Sequence, residues 1–330
     1  MTGMTVPIAL TSGEPAGVGL ELTLKAWQAL RGETPFFLIA DRRHVAALNP
    51  DIPVAEIDYP EAAVSVFPKA LPLLHHAFAL PNPPGQLRAA NAAGVISAIE
   101  RAVALVTAGK AAALCTNPIN KQALKEGAGF AFPGHTEFLS HLAGGMRPVM
   151  MLAAPMLRVI PVTIHEPLAR VPALLDAAVL EETIRITHHA MQRLYGLKTP
   201  RLAVAGLNPH AGEGGAMGRE EITLIAPLLA RMRAEGMHIA GPLPADTMFH
   251  AEARETYDVA LCMYHDQALI PLKTLDFHGG INVTLGLPFL RTSPDHGTAL
   301  DIAGKNRANP SSLINALRQA AQFARNRPRA

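Results

Sequence analysis

The chain has 330 residues, of which 49% are hydrophobic and 17% charged, and its formal net charge is +2. This composition excludes an intrinsically disordered chain, and the nearly neutral charge provides no electrostatic footprint for nucleic acid or anionic lipid. Both cysteines, Cys115 and Cys262, lie within apolar runs, which predicts buried thiols and argues against a disulfide framework or a cysteine-based zinc site.

The first residues contain no basic segment followed by a long apolar stretch, as a signal peptide would. No uninterrupted apolar run reaches the roughly 20 residues that span a bilayer. We therefore expect a cytoplasmic protein that binds neither membranes nor nucleic acid.

Short apolar runs alternate with longer amphipathic stretches along the chain. The apolar runs predict buried strands at 7–12, 36–40, 111–115, 149–154, 158–164, 201–207 and 258–264. Apolar residues at helical spacing predict helices at 89–107, 177–194 and 219–234. The proline-rich stretch 48–85 is poorly periodic, which predicts irregular surface structure. Strands that alternate with helices indicate an α/β fold with a mostly parallel sheet covered on both faces.

A histidine follows each of three predicted strands: His165, His210 and His265. Because the carboxyl ends of parallel strands meet at one edge of a sheet, where ligands bind, we expect these three side chains at the same edge. Three neutral imidazoles suit zinc or a similar divalent ion and leave a position open for water or substrate. A single loop histidine is more often a surface or capping residue, so the hypothesis depends on the shared position.

The segment that follows His210, "HAGEGG", predicts a flexible glycine turn whose backbone N–H groups suit an anion, although a plain strand-to-helix turn explains it equally well. Farther along the chain, Lys273, Asn282 and Arg291 combine a point charge, a neutral amide and a planar guanidinium. This combination fits a phosphate group. The alternative is that they are three ordinary surface polar residues.

The segment "FPGHTEFL" places His135 and Thr136 just ahead of a predicted helix. These two side chains are further candidates for binding the substrate. Alternatively, Thr136 caps the helix and Glu137 lies in its first turn.

Six motifs together closely resemble the 4-hydroxythreonine-4-phosphate dehydrogenase family of vitamin B6 biosynthesis. They are "GEPAGVGLE", "TNPINK", "GHTEFL", "GLNPHAGEGGAMGREE", "GPLPADTMF" and "MYHDQALIPLK…GINVTLGLPFLRTSPDHGTALDIAG". The resemblance covers about residue 7 to about residue 315. Leu20 departs from the family, which usually has proline there, and "TNPINK" is one of several variants.

The resemblance implies a reaction and a set of residues. The family oxidises 4-phosphooxy-L-threonine with NAD, and the resulting 3-keto acid loses carbon dioxide to give 3-amino-2-oxopropyl phosphate. It implies a homodimer with the active site at the subunit interface. Zinc is the expected divalent metal, with magnesium or cobalt as alternatives. Carried over residue by residue, the metal ligands are His165, His210 and His265, and the substrate-binding residues are His135, Thr136, Lys273, Asn282 and Arg291.

Two aspartates beside these motifs are candidate catalytic residues. Asp246 lies in "PADTMF", and Asp266 follows a proposed metal ligand. Either side chain is suited to orient a ligand or transfer a proton. An aspartate in a loop is more often a turn former, which is the alternative for both.

The segment "HGTALDIAGKNRANP" at 296–310 resembles the adenosine-binding loop of isopropylmalate and isocitrate dehydrogenases. That resemblance implies two α/β/α lobes with a cleft between them: residues 1–130 with 275–330 form the nucleotide-binding lobe, and 131–274 form the lobe with the metal ligands and dimer contacts. The implied cofactor-binding residues are His296, Gly297, Asp301 and Asn309.

Asp301 predicts the choice of cofactor. A carboxylate accepts hydrogen bonds from the ribose hydroxyls of NAD and repels the additional phosphate of NADP. Relatives that use NADP carry lysine and tyrosine where this chain has Asp301 and Ile302. In the alternative interpretation, Asp301 caps the following turn and touches no cofactor.

Three other functions remain open. A family member that acts on D-threonate or D-erythronate 4-phosphate would share most of these motifs, and kinetics with each phosphate ester would distinguish it. A metal-dependent hydrolase would form product without NAD. A noncatalytic module that binds phosphate ligands would produce no NADH.

Overall fold

The computed structural model describes residues 6–48 and 51–326. Within these residues the strands are β1 (Ile8–Thr11), β2 (Phe36–Ala40), β3 (Val54–Glu56), β4 (Leu71–His75), β5 (Leu114–Thr116), β6 (Val149–Ala154), β7 (Leu157–Pro161), β8 (Arg201–Ala205), β9 (His238–Leu243), β10 (Val259–Cys262), β11 (Ile281–Leu285) and β12 (Arg291–Pro294).

The α-helices of the same residues are α1 (Gly19–Leu30), α2 (Arg42–Ala46), α3 (Ala63–Val66), α4 (Ala92–Thr107), α5 (Lys121–Ala128), α6 (His135–Leu142), α7 (Val171–Leu174), α8 (Ala177–Tyr195), α9 (Ala226–Ala234), α10 (Ala251–Arg254), α11 (His265–Leu275) and α12 (Ser311–Asn326). Short 3-10 turns and one π-helical turn, Glu221–Ile225, lie between them.

The chain forms two compact units. The first unit comprises the chain up to Pro148 and from Leu287 onward, and the second comprises Val149–Gly286. The predicted boundaries at residues 130 and 275 are therefore too early. Phe138 and Leu139 of α6 belong to the core of the first unit, and β11 pairs with β6 in the second.

The strands of the first unit run in the order β3-β4-β2-β1-β5-β12, and the pairings between these neighbours are parallel. Helix α4 packs on this sheet with its apolar face, which includes Val95, Ile99 and Ala102. By length and composition alone, Ala89–Thr107 is apolar enough to cross a membrane. Because its buried face packs in the core, core packing accounts for that composition.

The strands of the second unit run in the order β11-β6-β7-β10-β8-β9. The β6–β7 and β6–β11 pairs are antiparallel, whereas β7, β10, β8 and β9 are parallel neighbours. Helix α8 covers part of this sheet. It begins where Asp176 accepts a hydrogen bond from the Val179 N–H at 2.7 Å and ends at Gly196 with a left-handed φ of 71°, as helix-capping chemistry dictates.

The α/β fold, all seven predicted strands and the three predicted helices are confirmed, with shifted ends. The prediction of irregular structure across 48–85 is wrong, because β4 lies there with Leu71, Leu73 and Leu74 buried. The strand was not predicted because it contains Pro72, and proline within an apolar run argues against a strand inside a sheet. Cys115 and Cys262 are free and buried, as expected, and burial raises the pKa of the Cys115 thiol to about 12.

Candidate active site

The three strands that precede the candidate metal ligands are neighbours in the second unit. β10 pairs in parallel with β7 on one side, with Ala260 opposite Val159, and with β8 on the other, with Val259 opposite Leu202. The predicted strand arrangement is therefore confirmed, because the carboxyl ends of these three strands share one edge of the sheet. The segments that follow them carry His165, His265 and His210.

Two of the three histidines lie close together. The ring centroids of His165 and His265 are 5.6 Å apart, and Nδ1 of His265 lies 2.7 Å from Oδ1 of Asp266. When Asp266 accepts a hydrogen bond from Nδ1, Nε2 keeps its lone pair for a metal, as in many carboxylate–histidine pairs. The donor types therefore fit a divalent ion.

The third predicted ligand, His210, is exposed. Across residues 6–48 and 51–326, no group of three or more His, Cys, Asp or Glu side chains is placed to hold a metal ion. A single chain thus brings two imidazoles together but does not assemble the predicted set of three.

The described residues include six non-glycine residues with left-handed φ, and all lie in the segments predicted to bind metal or nucleotide. They are His165, His210, Ala211, Glu213, Ala299 and Asn306. This conformation costs an L-residue about 1–2 kcal/mol, and such strain is concentrated at functional sites in proteins. The positions of the strained backbone therefore coincide with the segments that the motifs indicate as binding sites.

The turn that carries His210 is a left-handed coil. Five consecutive residues, His210 to Gly214, have φ values of 51°, 51°, 81°, 42° and 65°. The expected glycine turn is present, but it is braced rather than flexible. Both carboxylate oxygens of buried Glu221 accept hydrogen bonds from Asn208, two residues before His210. The predicted helix at 219–234 begins there with the π-helical turn, a feature that often marks functional sites.

In the first unit, Arg291 is a buried cation at the start of β12. It is only 4% exposed, and its guanidinium donates to Oγ1 of Thr116 at 2.8 Å. Burial lowers its pKa to about 10, so it remains charged at neutral pH. The positive charge suits an anionic ligand.

His135 is the first residue of α6, and its buried Nε2 has no hydrogen-bond partner within the described chain. Burial, reinforced by the charge of Arg291, holds its pKa well below the ordinary value, so the ring is neutral at pH 7. Gly134 occupies the N-cap position and Thr136 the second helical position, while Glu137 lies in the first turn. The capping alternative for Thr136 is therefore wrong. A neutral ring with an unsatisfied nitrogen is suited to receive a ligand hydrogen bond.

The remaining predicted substrate residues lie in the second unit. Asn282 is on β11, and its buried Oδ1 has no partner among the described residues. Lys273 lies near the end of α11, with Nζ 5.5 Å from the ring centroid of exposed Phe277. Asp246 is exposed in the 3-10 turn Ala245–Thr247.

The candidate nucleotide loop, residues 296–309, is anchored on α1. Glu21 accepts a hydrogen bond from the Gly304 N–H at 3.0 Å, and Lys25 donates to the carbonyls of Asn306 and Ala308 at 3.2 and 2.8 Å. The Val18 N–H donates to the carbonyl of Thr298 at 2.9 Å. The loop is thus held by contacts that the motif alone did not reveal.

Four predicted cofactor residues lie along this loop. His296 places Nδ1 2.9 Å from the carbonyl of Gly297, and Asp301 is exposed. Asn309 accepts a hydrogen bond from the Ser311 N–H at 2.9 Å, at the start of α12. The exposed carboxylate of Asp301 fits the predicted contact with a ribose.

Sequence reasoning missed Glu21 and Glu221, which hold the two segments described above. It also missed Thr163 and Gln267, whose side chains bond the backbone of Met263 just ahead of His265. Gln267 gave a faint signal, because it lies three residues after Tyr264, the N-cap of α11, and glutamine at that position is typical of side chains that bond back to the preceding backbone; the helix itself was not predicted. Glu221 gave none, since a glutamate near a helix start is ordinary.

Comparison with known proteins identifies the family. The sequence profile of the pyridoxal phosphate biosynthetic protein PdxA matches residues 32–320. The chain is 57% identical over 325 residues to the 4-hydroxythreonine-4-phosphate dehydrogenase of Roseobacter denitrificans, which covers 98% of this chain and 99% of that protein. It is 56% identical over 327 residues to the enzyme of the same name from Ruegeria sp., with 99% of each chain covered.

Solved structures agree with this result. The crystal structure of 4-hydroxythreonine-4-phosphate dehydrogenase from Klebsiella pneumoniae superposes with a TM-score of 0.90 at 39% identity, over 98% of this chain and 99% of that one. A structure of the enzyme from Burkholderia phymatum gives 0.83 at 36% identity, over 97% and 99%. The chain described above therefore belongs to the family of the pyridoxal phosphate biosynthetic protein PdxA.

Proposed function

We propose that this protein is the 4-hydroxythreonine-4-phosphate dehydrogenase of pyridoxal phosphate biosynthesis. It oxidises 4-phosphooxy-L-threonine with NAD, and the keto acid then loses carbon dioxide to give 3-amino-2-oxopropyl phosphate. The observation that carries the proposal is the match, at 57% identity, to a relative of that name over 98% of the chain. The site chemistry described above is consistent with each step.

Arg291 and His135 would bind the substrate together with Thr136, Lys273 and Asn282. A buried guanidinium is suited to a phosphate group, and the orphaned Nε2 of His135 and Oδ1 of Asn282 offer unsatisfied hydrogen-bonding positions. These are positions that a polar substrate would satisfy.

His165, His210 and His265 would hold a divalent metal, with zinc expected. Bound there, a metal would supply Lewis-acid stabilisation of the negative charge on the substrate oxygen during oxidation and decarboxylation. Asp266 would orient His265 through the 2.7 Å contact. Because one chain assembles only two of the three imidazoles, we further propose a homodimer that completes the active site at its interface.

The proposed reaction is a two-electron oxidation followed by the loss of one carbon as carbon dioxide. NAD, when bound, would supply the hydride acceptor for the carbinol C–H bond. The hydroxyl proton would pass to a base, for which Asp246 and Asp266 are candidates. The bond to the carboxylate then breaks, and its electron pair remains on the substrate until a proton is added. Asp301 would contact the ribose of NAD, and the enzyme would work in the cytoplasm.

The test is NADH absorbance with the purified protein and 4-phosphooxy-L-threonine, with and without a chelator. We expect NADH to form, chelator to abolish it and added zinc to restore it. D-Threonate and D-erythronate 4-phosphate are assayed in parallel. A higher kcat/KM for either would assign that substrate instead, and product formed without NAD would indicate a hydrolase.

A further inference from the structure

We propose that Glu221 is a positioning residue that holds the left-handed turn carrying His210 and thereby sets the metal affinity of the site. The inference rests on the proposed function, in which His210 is a metal ligand. Glu221 itself touches neither metal nor substrate in this scheme. It acts through the backbone that presents the imidazole.

The first argument is how Glu221 uses its carboxylate. The side chain is 3% exposed. Its Oε1 accepts the backbone N–H of Asn208 at 2.8 Å, and its Oε2 accepts the side-chain amide of the same residue at 3.0 Å. The side-chain amide of Asn208 also donates to Oε2 of Glu220 at 2.8 Å. The backbone N–H of Asn208, by contrast, donates to Glu221 alone among these carboxylates. Glu221 therefore fixes the backbone path of Asn208, which leads directly into the turn.

The second argument is the space around this carboxylate. A Cβ at Gly212 would lie 2.6 Å from Oε2 of Glu221, and one at Gly206 would lie 3.0 Å from Oε1. The turn therefore wraps closely around the carboxylate, and glycine is required at both points of approach. Gly212 also has a left-handed φ of +81°, so any other residue there would be strained as well as crowded.

The third argument is that the turn needs an external brace. His210, Ala211 and Glu213 all have left-handed φ, which L-residues disfavour. Single hydrogen bonds from the Ala211 N–H to the Asn208 carbonyl and from the Met217 N–H to the Gly212 carbonyl connect its ends, at 3.1 and 3.2 Å. Charge-assisted bonds to a buried carboxylate are stronger than these neutral ones. Glu221, which alone accepts the backbone N–H of Asn208 and shares its side-chain amide with Glu220, is thus the main brace on the backbone that presents His210.

The experiment measures metal binding directly in the full-length protein. The protein is stripped of metal and titrated with zinc in competition with a chromophoric chelator, and the absorption spectrum of the cobalt-loaded form reports ligand geometry. Glu221→Gln keeps the size of the side chain but removes its charge and opposes an NH2 group to one of the two donors of Asn208. Asn208→Ala removes the partner and serves if Glu221→Gln does not fold.

Two control variants distinguish a specific brace on the turn from a general effect of charge or of stability. Glu213→Gln makes the same change of charge at an exposed position inside the turn. Thr187→Val removes a buried hydroxyl that donates to the carbonyl of Thr183 in α8 at 2.6 Å, and so imposes a loss of stability without touching the turn. Both controls should bind zinc within about twofold of the wild type.

We expect Glu221→Gln and Asn208→Ala each to weaken zinc binding by about 10- to 100-fold, the range for groups that orient metal ligands, and to alter the cobalt spectrum. Their effects should be strongly non-additive in the double variant, because both act through one set of bonds. Wild-type affinity and spectrum in the folded variants would overturn the inference. His210→Ala is measured beside them: if it too binds zinc normally, the proposed metal site itself has failed.

Discussion

The side-chain amide of Gln267 donates to the carbonyl of Gly206 at 2.8 Å, across the ends of two neighbouring strands. Its oxygen accepts the backbone N–H of Met263 at 2.6 Å, and the carbonyl of Met263 accepts the hydroxyl of Thr163 at 2.8 Å. These three contacts connect the segments that lead to His210, His265 and His165. A single series of hydrogen bonds therefore connects the segments that carry all three candidate metal ligands.

Replacing Gln267 should loosen this arrangement. We expect Gln267→Leu to lower kcat/KM by about 10- to 100-fold and the free energy of unfolding by roughly 1–3 kcal/mol, because it leaves two buried backbone groups unpaired. Steady-state kinetics and urea denaturation measure the two effects. Gln192→Leu is the matched control, since the side-chain amide of Gln192 also donates to a backbone carbonyl, that of Lys198, but on the exposed surface. Equal kinetic losses in both variants would contradict the prediction.

Replacing His210 with glycine should increase the stability of the fold but abolish function. Glycine adopts left-handed φ without strain, so His210→Gly should raise the free energy of unfolding of the metal-free protein by about 1 kcal/mol. It should also abolish most metal binding and nearly all turnover, as should His210→Ala with the fold intact. The control is Ala211→Gly, which relieves the same strain at a φ of 51° but keeps the imidazole. Full activity and stoichiometric metal in His210→Gly would refute the assignment of this ligand.

Arg291 should determine the affinity for the substrate phosphate. Arg291→Ala removes a charge-assisted contact of roughly 1.5–3 kcal/mol, which corresponds to about a 10- to 150-fold rise in KM for the phosphorylated substrate. KM for NAD should change little. Arg318→Ala, at an exposed pair with Glu33, controls for the loss of a cation. An unchanged substrate KM would mean that Arg291 serves the fold alone.

Asp301 should select NAD over NADP. Wild-type kcat/KM should be higher for NAD, and Asp301→Lys should shift the ratio toward NADP, since it replaces a repulsive charge near the ribose with an attractive one. The exposed neighbour Lys305, changed to alanine, tests whether a nearby cation matters instead. A wild-type preference for NADP would contradict the prediction. If Asp301→Lys leaves the ratio of kcat/KM for NAD to kcat/KM for NADP unchanged, Asp301 does not determine the choice of cofactor.

His135, whose Nε2 is buried, should make the free energy of unfolding depend on pH. Its pKa in the folded protein is well below the ordinary 6.5, so the unfolded chain takes up a proton below that pH while the folded chain does not. The free energy of unfolding is therefore unaffected by this group above about pH 6.5 and falls as the pH drops below it, by at most about 1.4 kcal/mol per pH unit.

The measurement is urea denaturation of the wild type and His135→Gln between about pH 5 and 8, the range in which histidine titrates. The wild type should lose more stability than the variant as the pH falls through this range. His44 and His76, whose pKa values are also lowered by burial, contribute equally to both proteins and cancel. Parallel curves for the two proteins would show that His135 is not buried in its neutral form.

The regular part of this fold was predictable because buried parallel strands leave continuous apolar runs, such as Phe36–Ala40 and Val149–Ala154. The position of the three histidines followed from that periodicity. The left-handed turn at His210 did not, because its conformation depends on Glu221, which lies outside the turn and contacts it only in three dimensions. β12 was also missed, because Arg291 and its polar neighbours have no apolar pattern even though they are buried.

The discontinuity of the first unit reverses the order in which the chain can fold during synthesis. The second unit, Val149–Gly286, is continuous in sequence and can close as soon as its last strand has left the ribosome. The first unit begins earlier but must wait for β12 to pair with β5 and for α12 to pack against it. Until then the edge of β5 that β12 will cover is open, which is the state in which sheets misassociate. The nascent chain thus completes the unit that carries His165, His210 and His265 before the unit that would hold the nucleotide. Its exposure to aggregation lasts until α12 has packed.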